Sequence, residues 1–373
     1  MNYLLLASFS EISTYILYIL LAILVLLVMI TVHELGHFIM GKILGFGIEE
    51  FAIGFGPKIF SKKKENGEVF SLRLIPLGGF CAFKGEDKDD DDPSAFNNKK
   101  PWQRILVLIS GAFMNYFLAI FIICLMFGVY GHTAVMAYDT IDNTEYSSEY
   151  VLKDRDVLIK VNGVSIYLVT DLMKATEGLS KGDEVECELL RAGARTTMAI
   201  KLQADANYQN LEDLESLCKC LGMNYSLGEN GEILDSGFRS TGIKLGFFEN
   251  LGKSFEYSFK LAGTIFRTLG ELITGSLGIK SLGGTVTTIS VTASAIKVGG
   301  LWSLLNITAF IGVNLAVFNL LPIPALDGSR VVFTAIEWIR RKPLNKKVES
   351  IIHAVGFVMI LLFAIFIDLQ QCF

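Results

Sequence analysis

Four stretches of this chain run without a single Asp, Glu, Lys or Arg: Ile12–Val32, Ile105–Gly131, Val298–Leu326 and Ile351–Ile367. A helix that crosses the hydrocarbon core of a bilayer needs roughly 17–25 mostly apolar residues. Each stretch is therefore read as a membrane span, the last at the lower length limit. Composition agrees: 51% of residues are hydrophobic and only 19% are charged, against about 25% charged in a typical soluble domain. A formal charge of -5 excludes a broadly basic nucleic-acid binder. Six cysteines are too few and too scattered for a disulfide scaffold.

The first stretch is read as a retained span rather than a signal peptide. Met1–Glu11 carries no Lys or Arg, and the apolar run continues straight into His33-Glu34-Leu35-Gly36-His37. Orientation follows from the excess of positive charge in cytoplasmic loops. Gly41–Arg104 holds eleven Lys/Arg, including Lys62-Lys63-Lys64, and Arg330–Lys347 holds six. Both segments are expected in the cytoplasm, which puts the two termini and the loop after the second span outside. The acidic run Glu86–Asp92 reads as a solvated loop ended by Pro93.

Between the spans, Val69–Leu74 alternates with period two, and Asn66-Gly67 marks a turn between it and the run near Ile53–Phe60. A small sheet against the inner membrane face is expected from 45–85. Residues 131–204 read as an α+β module, with strands at Val157–Val161, Glu184–Leu190 and Thr197–Leu202 and a short helix at Asp171–Leu179. Residues 205–248 give no clear pattern. Phe255, Phe259, Ala262, Phe266, Leu269 and Ile273 recur every three or four residues, which predicts an amphipathic helix lying on the outer membrane surface or on the preceding module. Leu282–Lys297 is rich in small residues and reads as a loop or a partly re-entrant segment. Cys218 and Cys220 could pair with each other, with Cys187, or with nothing.

The chemistry lies at the end of the first span. His33-Glu34-Leu35-Gly36-His37 places two imidazoles four apart on one helix face, where both reach one metal ion. Glu34 beside them can take a proton from a water held at that ion. Two histidines at a helix end need no metal, but an ionisable Glu34 at the end of an apolar span is costly and is usually functional. Tetrahedral catalytic zinc needs a third protein ligand. His132 follows the second span and falls on the opposite side, and no motif surrounds His353. Asp327 is the better candidate. The first and third spans run in the same direction, so Asn319–Gly328 reaches the depth of His33 and His37, and Pro322 and Pro324 break the helix there.

These residues closely resemble the site-2 protease family of intramembrane zinc metalloproteases, specifically the bacterial type with an extracytoplasmic PDZ domain. The His-Glu-x-x-His motif and Asn319–Gly328 carry the resemblance. Gly54–Pro57, Pro76–Phe80, Ser110–Asn115 and Phe333–Pro343 add to it. Three positions depart from the family pattern: Ala112 stands where Pro is usual, Ser329 where a second Gly is common, and Arg155 where Gly is frequent.

The resemblance implies a polytopic α-helical membrane protein of about four spans, with a cytoplasmic-side β segment and an extracytoplasmic PDZ-like α+β domain. The divisions are 1–40 (first span), 41–103 (β segment and loop), 104–131 (second span) and 132–204 (PDZ-like domain). They continue with 205–297 (linker, amphipathic helix and loop), 298–328 (third span), 329–350 (cytoplasmic loop) and 351–373 (fourth span). It implies one zinc ion held by His33, His37 and Asp327, with Glu34 as the base. Asn319 and Asn314 would hold substrate backbone, and Gly78 and Gly79 would let a substrate strand approach the sheet. The expected partners are the lipid bilayer and transmembrane protein substrates already cleaved outside, such as anti-sigma factors or signal-peptide remnants. The expected location is the plasma membrane, multi-pass, with both termini outside. A metal transporter would instead show internal repeats and midplane ligands, and a non-catalytic PDZ scaffold would have no use for Glu34.

Overall fold

A computed structural model describes residues 9–86, 90–141, 146–147, 149–208, 213–228, 233–275, 278 and 283–372. In chain order, α1 (Phe9–Ile43) is followed by the strands β1 (Ile48–Lys63) and β2 (Val69–Phe83) and by α2 (Pro101–Tyr130). Then come β3 (His132–Ala137), β4 (Val157–Val161), β5 (Val164–Ser165), α3 (Val169–Thr176), β6 (Glu184–Arg191) and β7 (Ala194–Lys201). The chain continues through α4 (Leu214–Leu221), β8 (Tyr225–Leu227), β9 (Ile233–Ser236), β10 (Phe238–Ile243) and α5 (Phe247–Thr274). It closes with α6 (Thr285–Asn319), α7 (Asp327–Arg340) and α8 (Lys346–Cys372). Two compact units result, Met1–Leu125 with Gly252–Phe373, and Met126–Leu251.

In the first unit, four helices among the described residues are long and apolar enough to cross a membrane: Thr14–Ile43, Pro101–Tyr130, Val286–Asn319 and Lys346–Gln370. Val25 and Met29 of α1 pack against Ile311 of α6, with Leu118 and Ile122 of α2 beside them. The first helix runs through the His-Glu-Leu-Gly-His segment and stops at Gly45, whose left-handed φ of 71° lets Phe46 N–H return to the Gly41 carbonyl at 2.8 Å.

The two long strands β1 and β2 fold back on themselves. Residues 50–53 pair with 79–82 on one side and with 69–72 on the other, while 58–63 pair with 69–73. Residues 79–83 thus form an edge ribbon. Gly67 at φ 90° makes the turn that Asn66-Gly67 predicts. Phe55, Ile59, Phe60, Leu74 and Ile75 stand exposed on this hairpin. The acidic run lies partly outside the described residues; within them Lys84 pairs with Asp92 at 2.6 Å.

Two expectations in this unit change. Val298–Leu326 is not a continuous span: α6 starts at Thr285, kinks at Gly300 and ends at Asn319, where Pro322 and Pro324 take over. Most of the segment expected as a loop, 285–297, is therefore helix, while Leu282 lies outside the described residues. Its start is capped from a distance, because Asp368 on α8 accepts the N–H groups of Val286 and Thr287 at 3.2 and 3.3 Å. The helix expected on the outer surface instead packs Leu261, Ala262, Ile265 and Leu269 against Ala119, Val313 and Val317 of α2 and α6. Phe255, Phe259, Phe266 and Ile273 face outward. A helix in an apolar surround can expose phenylalanines, so the apolar stripe alone did not identify the packed face.

The second unit holds an antiparallel sheet in the order β10-β3-β4-β6-β7, with β5 beside β4. Alternation in Glu184–Arg191 buries Val185, Cys187 and Leu189. They join Leu158, Val161, Leu172 and Ile200, and α4 adds Leu217, Cys218 and Cys220 to the same core. The strand β10 and helix α4 come from chain that the sequence pattern left unplaced. Cys187, Cys218 and Cys220 are all free thiols. Arg155 has a left-handed φ of 69°.

Candidate metal centre

The last turns of α1 present His33 and His37 on one face, both buried. Gly36 brings a second helix onto that face. A Cβ there would lie 2.8 Å from the carbonyl carbon of Ser110 and 2.9 Å from Cα of Gly111, so only glycine allows α1 and α2 to meet this closely. The approach sets the Val107 carbonyl oxygen 2.8 Å from Nδ1 of His37. A carbonyl can only accept, so Nδ1 carries the proton and Nε2 is left for the centre. The carboxamide of Asn319, at the end of α6, stands 3.5 Å from Nδ1 of His33.

Asp327 arrives at the first turn of α7. Its Oδ2 lies 2.9 Å from Nε2 of His33 and 3.2 Å from Nε2 of His37, and the two Nε2 atoms are 3.1 Å apart. Among the described residues, these three form a cluster able to hold a metal ion.

The donor set fits zinc. Two imidazole nitrogens and one carboxylate oxygen are the donors of a catalytic zinc site. Ligands about 2.0–2.1 Å from a tetrahedral ion lie roughly 3.3 Å from each other, close to the triangle observed. Gly111 lies directly against both imidazoles, where a side chain would collide with them.

Glu34 faces a cavity of about 420 Å³ shared with His37, Cys81, Glu86, Asp327, Arg330 and His353. Its Cγ would lie 3.4 Å from a Cβ on Gly79, so the carboxylate sits next to the edge ribbon 79–83. Gly78 packs under the Phe55 ring. Asn314 does not reach the histidines: its amide donates to the Phe310 carbonyl of its own helix at 3.0 Å. His132 belongs to the second unit, where it is buried between Phe127 and Tyr167. His353 is not a fourth donor, yet it lines the same cavity as Glu34. Sequence reading does not single out the Val107 carbonyl, Gly36 or Cys81, and it weighs His353 only as a metal ligand. Only Gly36, inside the motif, had a local signal.

The model of peptidase family M50 matches residues 21–363. A protein of Clostridium perfringens named as a candidate zinc metalloprotease is 36% identical over 336 residues, covering 89% of this chain and 92% of that one. A similarly named protein of Clostridium acetobutylicum is 30% identical, covering 92% and 94%. The zinc metalloprotease RasP of Bacillus licheniformis is 27% identical over 432 residues, covering 92% and 97%. The match spans both the His33–His37 segment and Asp327, and the chain belongs to peptidase family M50.

Proposed function

We propose that His33, His37 and Asp327 hold one zinc ion and that Glu34 is the general base of peptide hydrolysis within the membrane. The chain is an intramembrane zinc metalloendopeptidase of the site-2 protease type, a multi-pass protein of the plasma membrane that acts on membrane proteins. The convergence of the three donor atoms within about 3 Å of each other is the observation that carries the residue assignment.

Zinc bound there supplies a Lewis acid that polarises the scissile carbonyl and makes water a competent nucleophile at neutral pH. The chain does the rest. Glu34 takes the proton as the water oxygen adds to the carbonyl carbon, then delivers it to the leaving nitrogen as the C–N bond breaks. Val107 keeps His37 in the required tautomer, and Asn319 stands against the outer nitrogen of His33.

A helical peptide bond is shielded by its own hydrogen bonds, so substrate must unwind near the site. Edge ribbon 79–83 runs past Glu34 and can accept an extended segment by strand addition. Asn314 is retained as a more distant contact for substrate backbone. The second unit acts as the PDZ-like module, placed outside with both termini. There it reads trimmed substrates, as a size filter or by holding a new peptide end.

The test combines metal analysis with cleavage of a single-span substrate by the parent, Glu34→Gln and Asp327→Asn. One zinc per chain is expected in the parent. Glu34→Gln should keep zinc and stop cutting, and Asp327→Asn should lose zinc affinity. Undiminished cleavage by Glu34→Gln would overturn the role of the base, and undiminished zinc affinity in Asp327→Asn would overturn the ligand.

A further inference from the structure

We propose that His353 is a positioning residue for the metal centre, acting with Gly356 to brace from α8 the turn that delivers Asp327 to the histidines. This rests on the assignment of Asp327 as a ligand. No regular element leads into Asp327. Helix α6 ends at Asn319, and residues 320–326 are held internally by short-range bonds: Leu321 N–H to the Phe318 carbonyl at 3.0 Å, Ile323 N–H to Leu321 at 2.8 Å and Leu326 N–H to Ile323 at 3.1 Å. Pro322 and Pro324 have no N–H to contribute. Ala325 has φ 79°, in the left-handed region that a residue with a Cβ avoids. A segment of this kind does not keep its shape unaided.

The missing support comes from α8. The N–H of Ala325, two residues before Asp327, donates to Nδ1 of His353 at 3.1 Å. A main-chain N–H can only donate, so Nδ1 holds a lone pair and the ring proton sits on Nε2. The ring also meets Phe333 of α7 edge-on, with centroids 5.5 Å apart at 83°. The imidazole is thereby packed against the helix that Asp327 begins. One turn further along α8, Gly356 touches the same segment. A Cβ there would stand 2.8 Å from the carbonyl carbon and oxygen of Pro324, closer than real Cβ atoms come. Residues three apart share one helix face, so a directed hydrogen bond and a glycine contact grip the N–H and the carbonyl of a single peptide unit, Pro324–Ala325. Neither residue offers a donor atom to the cluster itself.

Loosening this grip should therefore weaken metal binding while every ligand remains. The experiment is zinc competition against a chelator, on full-length protein in detergent, for the parent, His353→Leu, His353→Asn, Gly356→Ala and Asp327→Asn. His353→Leu and Gly356→Ala are expected to lose about 10- to 100-fold in zinc affinity, the range seen when residues that orient ligands are removed. His353→Asn, whose Oδ1 can replace Nδ1 as acceptor, should stay close to the parent. Metal-free thermal midpoints are read alongside: Gly356→Ala should fall by the cost of overpacking, whereas His353→Asn should keep the parent's midpoint and its zinc affinity together, which separates positioning from general packing. If His353→Leu fails to fold, Gly356→Ala and His353→Asn still decide. Parent-like affinity in Gly356→Ala, or affinity in folded His353→Asn as weak as in His353→Leu or Asp327→Asn, overturns the brace. Undiminished affinity in Asp327→Asn would instead overturn the ligand assignment beneath it.

Discussion

Nδ1 of His37 on α1 donates to the carbonyl oxygen of Val107 on α2 across 2.8 Å. The bond joins two membrane helices and at the same time selects the nitrogen that faces the metal centre. Helix packing and ligand chemistry are thus one constraint here, and a change at the crossing should be felt at both.

Replacing Gly36 tests that coupling. An added methyl would meet backbone atoms of Ser110 and Gly111, which cannot swing aside. Gly36→Ala should cost about 1–3 kcal/mol in stability, typical of overpacking, and should lower zinc affinity by displacing Val107 from His37. Thermal unfolding in detergent and chelator competition report the two effects. A variant as stable and as tightly metallated as the parent would contradict the packing described.

Glu34→Gln keeps the shape of the side chain and removes its ability to take a proton. Turnover of a single-span substrate should fall by roughly 10²–10⁴-fold, the usual contribution of a positioned acid or base, with zinc content unchanged. Loss of less than tenfold would remove Glu34 from proton transfer.

Arg104 and Glu337 form a largely buried ion pair at 2.6 Å, linking α2 to α7. Taking away Arg104 alone strands a buried carboxylate, and such losses run to about 3–5 kcal/mol. Arg104→Met should therefore destabilise more than Arg104→Met with Glu337→Met together. Glu337 also accepts the Leu344 N–H at 2.8 Å, so the double variant will not fully recover. Thermal midpoints of the four proteins in the cycle give the answer, and strictly additive losses would show that the pair is not coupled.

Arg155 sits third in a turn whose Asp156 N–H returns to the Lys153 carbonyl at 3.0 Å. Positive φ at that position suits glycine. Arg155→Gly should stabilise the second unit by about 1 kcal/mol, the cost of a left-handed residue with a Cβ. Slower hydrogen exchange in β3 and β4 of the full-length protein would show it; faster exchange would not be compatible.

Burial pushes the thiol of Cys187 up to about 12 and those of Cys218 and Cys220 up to about 11. Only thiolates react readily, so none of the three should take up a maleimide at pH 8 in the folded protein. All three should label after denaturation without prior reduction. Labelling of the native state, or a need for reductant, would contradict the free buried thiols.

The readable parts of this protein are those whose signals are local. His33-Glu34-Leu35-Gly36-His37 shows its helical spacing in five letters, the strand Val157–Val161 falls within its expected limits, and Asn66-Gly67 makes its turn. Pro322 and Pro324 announce the break before Asp327 because proline cannot continue a helix. What stayed hidden depends on partners far along the chain. The start of α6 rests on Asp368, more than 80 positions away. The strand β10 finds β3 across the whole second unit. The Val107 carbonyl has no side-chain signature at all, and His353 looks like any histidine in an apolar helix until Ala325 is seen against it.

His33 and Asp327 lie 294 positions apart in the chain. The ribosome delivers a protein from its N-terminus, so this distance is also a delay. Until α7 is made, the growing polypeptide carries the two histidines and the glutamate without the carboxylate that completes the proposed set. A hydrolase that works among membrane helices is thus born inert, beside the unfinished spans of other newly made proteins. On the proposed ligand set it gains its cutting centre only once the start of α7 has emerged, and its brace on α8 later still.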